Sequence, residues 1–258
     1  NAEKFIDEAI KSCINQKELL ELIIIDGYSV DNTISIIKKW QLENKKIRLI
    51  SEKDKGTAEA LNKALELTRG EFIAWLNSDD KFENNCFSRG LNYFNYNNNC
   101  KFLYGHGKHI DRNGQFIEYY PTFEPYVGIN HFQNGCFICQ PTTLFKKEIL
   151  NNIGIFDPDL KACFDFDLWL RIFNFYDLSE IGFVNTIQAS TRIHDNTITK
   201  NKYWRVNLES AIVLDRNLGN SKKHWLEQAI RFLIINNKNS AIGYLENSDL
   251  NYIINDKI

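Results

Sequence analysis

Strand-like and helix-like segments alternate three times within the first eighty residues, and few architectures accommodate that order. The run "LELIIID" (20–26) is short, apolar and β-branched, as a strand buried in a parallel sheet would be. "IRLIS" (47–51) and "EFIAWL" (71–76) repeat the pattern. Between them the spacing changes to that of helices. Residues 3–14 put Phe5, Ile6, Ala9, Ile10 and Cys13 on one face. "SVDNT" (29–33) caps a helix that carries Ile36, Ile37 and Trp40 inward, and "TAEALNKALELTRG" (57–70) is a helix whose Gly70 suits the position after its end. Such alternation marks a doubly wound α/β sheet with helices on both faces. A leading helix calls for a strand of its own, so one more strand is expected ahead of Asn1; the absence of any methionine fits a missing N-terminal piece.

In open α/β sheets, ligands sit beyond the carboxyl ends of the strands. Two acidic features fall at such ends, Asp26 after the first run and Asn77-Ser78-Asp79-Asp80 after the third. Adjacent carboxylates repel unless something neutralises them. A polar loop that caps a helix is one reading of the cluster. The other is a divalent cation carrying a phosphate-bearing ligand, since hard oxygen donors suit magnesium or manganese. Two such features at strand ends favour a nucleotide with a metal.

The pattern changes after residue 100. "KHIDRNGQFIEYY" holds Asn113-Gly114 between extended segments, a hairpin signal. Residues 142–152 read as helix, "FDFDLWLRIF" (164–173) as the acidic start of an amphipathic helix, and "IGFV" and "TIQASTRI" as strands. From about Tyr203 the chain reads as helical, in "WRVNLESAIVLDRNL", "HWLEQAIRFLII" and "SAIGYLEN". The expected division is an α/β domain over residues 1–200 and a helical appendage over 201–258. A net charge of −2 gives no basic excess for nucleic acid. The apolar runs fall far short of the roughly 20 residues that span a bilayer. Of the six cysteines only Cys136 and Cys139 are close, with no second pair to complete a zinc set, which points to buried thiols in a reducing cytoplasm.

With these motifs in order, the chain resembles the family 2 glycosyltransferases, inverting enzymes of the GT-A fold that use nucleotide sugars. "IIIDGYSVDNT" is similar to the first acidic nucleotide-binding motif, "SEKDKGTAEALNKAL" to the second segment and "FIAWLNSDD" to the DxD region. "FDFDLWLRI" resembles the block that carries the general base, and "STRIHDNTIT" the late Arg-x-His segment. The likeness covers roughly residues 1–200. Two positions depart from the pattern. Asn77 stands where the DxD region has its first acid, and Gly27 where many members carry a second, base-reading acid after Asp26.

The resemblance implies a role for each group. Asp26 and Asn77 would anchor the nucleoside, UDP by preference, and Asp79 would bind Mn²⁺ or Mg²⁺ on the diphosphate, with Asp80 and His194 completing its shell. Arg192, sharing a strand face with His194, would clamp phosphate oxygens, and Lys55 could also reach them. Asp165 would be the general base and Asp167 a contact to the acceptor. Trp169 and Arg171 read better as core and salt bridge, and His106, His109, His131 and His224 show no chemical spacing. The implied reaction moves a sugar from a nucleotide-sugar donor to a glycan or glycolipid, in the cytoplasm or peripherally at the inner face of the membrane. A sugar-nucleotide pyrophosphorylase and a binding module without turnover are the rival readings.

Overall fold

The computed structural model describes residues 1–195, 197 and 201–235. α1 (Ile6–Ile14) buries Ile6, Ala9, Ile10 and Cys13, the face expected from helical spacing. β1 (Leu22–Asp26), α2 (Thr33–Glu43), β2 (Ile47–Ser51) and α3 (Thr57–Leu67) follow. β1 and β2 pair in parallel, from Leu22 opposite Ile47 to Asp26 opposite Ser51. Asp31 starts α2 by accepting the backbone N–H of Thr33 at 3.0 Å and its hydroxyl at 2.5 Å. α3 stops at Leu67, where Thr68 turns extended, so Gly70 lies beyond the end and caps nothing.

A second sheet is ordered β3 (Phe72–Ile73), β7 (Leu144–Lys146), β5 (Phe102–Ile110), β8 (Ile181–Arg192), β4 (Lys81–Phe82), with β6 (Phe116–Tyr119) paired to β5. β5 and β8 run parallel; the other pairs are antiparallel. The sheet is therefore mixed rather than mostly parallel, because strands from the second half of the chain return against the first. β7 is the reason sequence periodicity misled at 142–152. Phe145 pairs with both β3 and β5, Leu144 with β5 and Lys146 with β3, and only Ile149–Ile153 form a short helix, α5. "IGFV" and "TIQASTRI" are one strand, β8, whose register against β5 shifts near His106. The Asn113-Gly114 turn joins β5 to β6 with Gly114 at φ 84°.

α4 (Cys86–Tyr96) and α6 (Phe164–Phe175) flank this sheet. The main core is aromatic: Trp169 is fully buried and stacks on Trp75 at 5.3 Å between ring centroids. α7 (Tyr203–Leu218) and α8 (Lys223–Ile235) add Trp204, Leu208, Leu214 and Trp225 to that same cluster. The boundary expected at residue 200 is thus no break in packing. "SAIGYLEN" and part of "STRIHDNTIT" lie outside the described residues.

Among the described residues no strand pairing joins the two sheets. An apolar slot beside β1 is lined by Ile6 and Ile10 of α1, Ala60 and Leu61 of α3, and residues 72–76. Among the described residues β1 pairs only with β2, and Leu22–Ile25 are half-buried rather than enclosed as a central strand would be. The slot opens into a cleft at the carboxyl ends of the strands, and slot and cleft together form one cavity of about 1270 Å³.

Candidate active site

The cleft brings together segments far apart in sequence, including Asp79, Asp80, Tyr120, Asp165 and Arg192. The two adjacent carboxylates have different fates. Asp80 is buried: one oxygen accepts the Arg192 backbone N–H at 2.8 Å and the other the Asn77 side-chain amide at 3.2 Å. Burial first, and the neighbouring Asp79 charge second, push its carboxyl well above the ordinary carboxylate range. Through these two bonds Asp80 ties the 77–80 turn to itself and to β8. Asp79 stays at the surface of the cleft, its Oδ2 3.0 Å from His194 Nε2.

Arg192 serves this arrangement differently from the phosphate clamp expected of it. It is buried, and its Nε donates to the Asp79 carbonyl at 2.9 Å. Nη1 donates to the carbonyls of Asp111 and Arg112, and Nη2 to Glu8. Its guanidinium lies 5.0 Å from the Phe5 ring, which also packs on His194 at 4.9 Å. β8 ends at Arg192, so His194 lies past the strand rather than on its face, yet both reach Asp79. One holds its backbone and the other its carboxylate.

Asn77 hydrogen-bonds Asp80 and Gln140 Oε1, and Gln140 in turn donates to the Trp75 carbonyl at 2.8 Å. Asp26, at the end of β1, is buried and turned into its own loop. Its Oδ2 accepts the N–H groups of Tyr28 and Ser29 at 3.0 Å and the Ser51 hydroxyl at 2.8 Å. Burial raises its pKa, but those donors outweigh burial, led by Ser29, and leave it below the usual range. The loop they brace holds Tyr28 at φ 72°, a left-handed conformation uncommon outside glycine and asparagine. Gly27 and Asp54 face the cavity instead. A Cβ at position 27 would fall 2.8 Å from an Asp54 carboxylate oxygen, so glycine is what lets this carboxylate sit there. Lys55 is exposed and does not line the cavity, whereas the Lys161 side chain lies across Gly56.

Asp165 is the second residue of α6, half-buried on the cavity wall, with one oxygen accepting the Phe166 N–H at 2.8 Å. Burial is the main cause that raises its pKa to about 6, with the backbone N–H groups pulling the other way and the negative charge of Glu209 adding to the rise. A carboxyl so tuned is ionised at neutral pH yet more basic than an exposed aspartate. Asp167 points away from the cleft. It is buried against α7, bonded to Arg171 Nε at 2.8 Å and the Asn217 amide at 3.1 Å. The acceptor contact expected of it is replaced by a helix-packing knot, because positions two apart on a helix diverge. Arg171 forms the salt bridge expected for it, and Trp169 the core.

Two residues at the cleft carried no sequence signal, His109 and Tyr120. Their rings meet edge to face at 5.5 Å, and the Tyr120 hydroxyl donates to the Cys136 carbonyl at 2.9 Å. A metal finds an oxygen and an imidazole nitrogen in Asp79 and His194, a donor pair suited to Mn²⁺ or Mg²⁺ only when ligand or water oxygens complete the shell. Among the described residues no group of three or more His, Cys, Asp or Glu could hold a metal ion.

Residues 1–154, more than half of the chain, match the family model for glycosyl transferase family 2. Chondroitin synthase of Escherichia coli is 29% identical over 205 residues, 78% of this chain but only 29% of the synthase. The putative teichuronic acid biosynthesis glycosyltransferase TuaG of Bacillus subtilis is 25% identical over 209 residues, 79% of each chain. The solved structure of S. aureus TarS 1–349 in complex with UDP-GlcNAc aligns with a TM-score of 0.65 at 18% identity, over 84% of this chain and 64% of TarS 1–349. The mannosyltransferase PcManGT from Pyrobaculum calidifontis, in complex with GDP-Man and Mn²⁺, aligns at 0.64 and 14% identity, over 91% of this chain and 71% of its own. At these identities the structural matches speak for the GT-A-like fold.

Proposed function

Because the chain belongs to glycosyl transferase family 2, we propose that it transfers a sugar from a nucleotide diphosphate to a hydroxyl of a glycan or glycolipid, with inversion, in polysaccharide biosynthesis. The observation that carries this reading is Asp165, a carboxylate on the cleft wall whose surroundings make it more basic than an exposed one. In a single displacement the acceptor oxygen attacks the anomeric carbon from the side opposite the diphosphate. Asp165 takes the acceptor proton as the new C–O bond forms, and the electron pair of the breaking bond leaves with the diphosphate.

The other residues hold the donor. Asp79 and His194 would carry Mn²⁺ or Mg²⁺; the ion, when bound, neutralises charge on the departing diphosphate. Arg192, Asp80 and Asn77 keep Asp79 in place from behind. Asp26 braces the 27–29 loop, leaving Gly27 and Asp54 to face the nucleoside. TarS 1–349 with UDP-GlcNAc supports a UDP-sugar, and PcManGT with GDP-Man and Mn²⁺ supports a metal-bound diphosphate. The relatives named for chondroitin and teichuronic acid support a polysaccharide acceptor. Among the described residues no helix is long and apolar enough to cross a membrane.

The test is turnover. The protein is incubated with a panel of UDP- and GDP-sugars and candidate acceptors, with Mn²⁺ or with chelator, and nucleotide diphosphate release is measured. Sugar transfer that needs metal and Asp165 is the expected result. Nucleotide binding with release no faster than that of Asp165→Asn would make this chain a binding module and end the transferase reading.

A further inference from the structure

Glu209 sits in the middle of α7, only 1% exposed, and is the most deeply buried carboxylate among the described residues. A buried charge is costly unless it is well bonded. Here it is bonded to backbone, with the Arg205 guanidinium one helical turn away at 3.9 Å. Its carboxylate accepts the N–H groups of Lys161 at 3.0 Å, Ala162 at 2.8 Å and Cys163 at 3.0 Å, three consecutive amides in the turn that leads into α6. A second oxygen contacts the Lys161 N–H at 3.1 Å. The Cys163 thiol adds a tie to α7, donating to the Val206 carbonyl at 3.3 Å. Cys163 is also the N-cap of α6, with no side-chain cap of its own. Asp165 follows two residues later.

α6 thus borrows its N-terminal anchor from a helix that begins forty residues further on. A residue needed only to cap could be a local serine or aspartate. A carboxylate supplied by α7 fixes something else, the position of the turn relative to the rest of the cleft. We infer that Glu209 is a positioning residue: from α7 it pins the 161–163 turn and so sets where Asp165 points. This rests on the reading of Asp165 as general base.

Electrostatics follow the same contact. The titratable groups that feel the Asp165 charge from neighbouring elements are Tyr120, Cys136 and Cys139, with Cys163 on its own turn. Burial holds all four in their neutral forms. Glu209 is the charged group whose field raises Asp165.

The experiment compares Glu209→Gln and Glu209→Asp with the unmodified protein in rate–pH profiles and nucleotide-diphosphate binding. Glu209→Gln turns an amide toward backbone donors and removes the charge. Its kcat should fall roughly ten- to hundredfold, the scale of an ångström-level misplacement, and its acid limb should move to lower pH. Glu209→Asp keeps the charge but shortens the reach, so kcat should fall while the limb stays put. Nucleotide affinity should remain within twofold in both. A kcat within twofold of wild type in either folded variant, or a limb unmoved in Glu209→Gln, overturns the proposal. Should Glu209→Gln not fold, Glu209→Asp decides alone by its kcat. If Asp165→Asn itself keeps full activity, the base assignment fails, and that outcome is distinct.

Discussion

The rate–pH profile of acceptor use should show an acid limb near pH 6 that belongs to Asp165. Burial raises its pKa from 3.8 to about 6. The base must be ionised to accept a proton, so activity is present above this pKa and lost as pH falls through it. At pH 5 a carboxyl with a pKa of about 6 is roughly one-tenth ionised, whereas one at the ordinary value near 3.9 is still roughly nine-tenths ionised. kcat/KM for acceptor, followed by nucleotide diphosphate release at saturating donor, should therefore drop about tenfold per pH unit below 6. Asp165→Asn preserves size and the acceptor oxygen for the Phe166 N–H but has no basicity. It should lose on the order of 10²–10⁴ in kcat at neutral pH, and its residual rate should be flat where wild type falls. A wild-type profile level down to pH 5, or an Asn variant that keeps both limb and rate, would refute the assignment.

Asp79→Ala should abolish the Mn²⁺-dependent part of nucleotide-diphosphate binding in calorimetry and leave the chelator-resistant part; equal loss of both would place Asp79 elsewhere. Arg192→Met should destabilise the fold by about 1–3 kcal/mol in urea melts, because three part-buried hydrogen bonds to carbonyls are lost together. A mere loss of phosphate affinity with normal stability would restore the clamp. Gly107→Ala should cost about 1–3 kcal/mol by overpacking, since its Cβ would lie 2.8 Å from Cys139 Cβ beneath the cleft; an unchanged melting temperature would show that this wall yields.

What was legible in the sequence was local. Ile6, Ala9, Ile10 and Cys13 announced α1 by their spacing, and Asn113-Gly114 announced the hairpin, because each signal is complete within a few residues. Asp165 carried a local signal, a helix start, and Asp79 one in the acidic turn after the third apolar run, although the strand expected over 71–76 ends at Ile73. The failures are long-range. The helical reading of 142–152 lost to β7, whose pairing with β3 and β5 no local periodicity records. Arg192 shows a strand position, not which carbonyls will surround its guanidinium. Glu209 left one faint trace, an acid inside the apolar stripe of "LESAIVL". The three amides that justify it lie 46–48 residues upstream.

The ties around Arg192 give the cleft a mechanical property. Its guanidinium joins Glu8 of α1, the Asp79 carbonyl and the carbonyls of Asp111 and Arg112. Segments from α1, from the 77–80 turn and from the hairpin between β5 and β6 are thus clasped at a single side chain. A shift in any one of them is passed to the others, and the carboxylate of Asp79 inherits its place from all three.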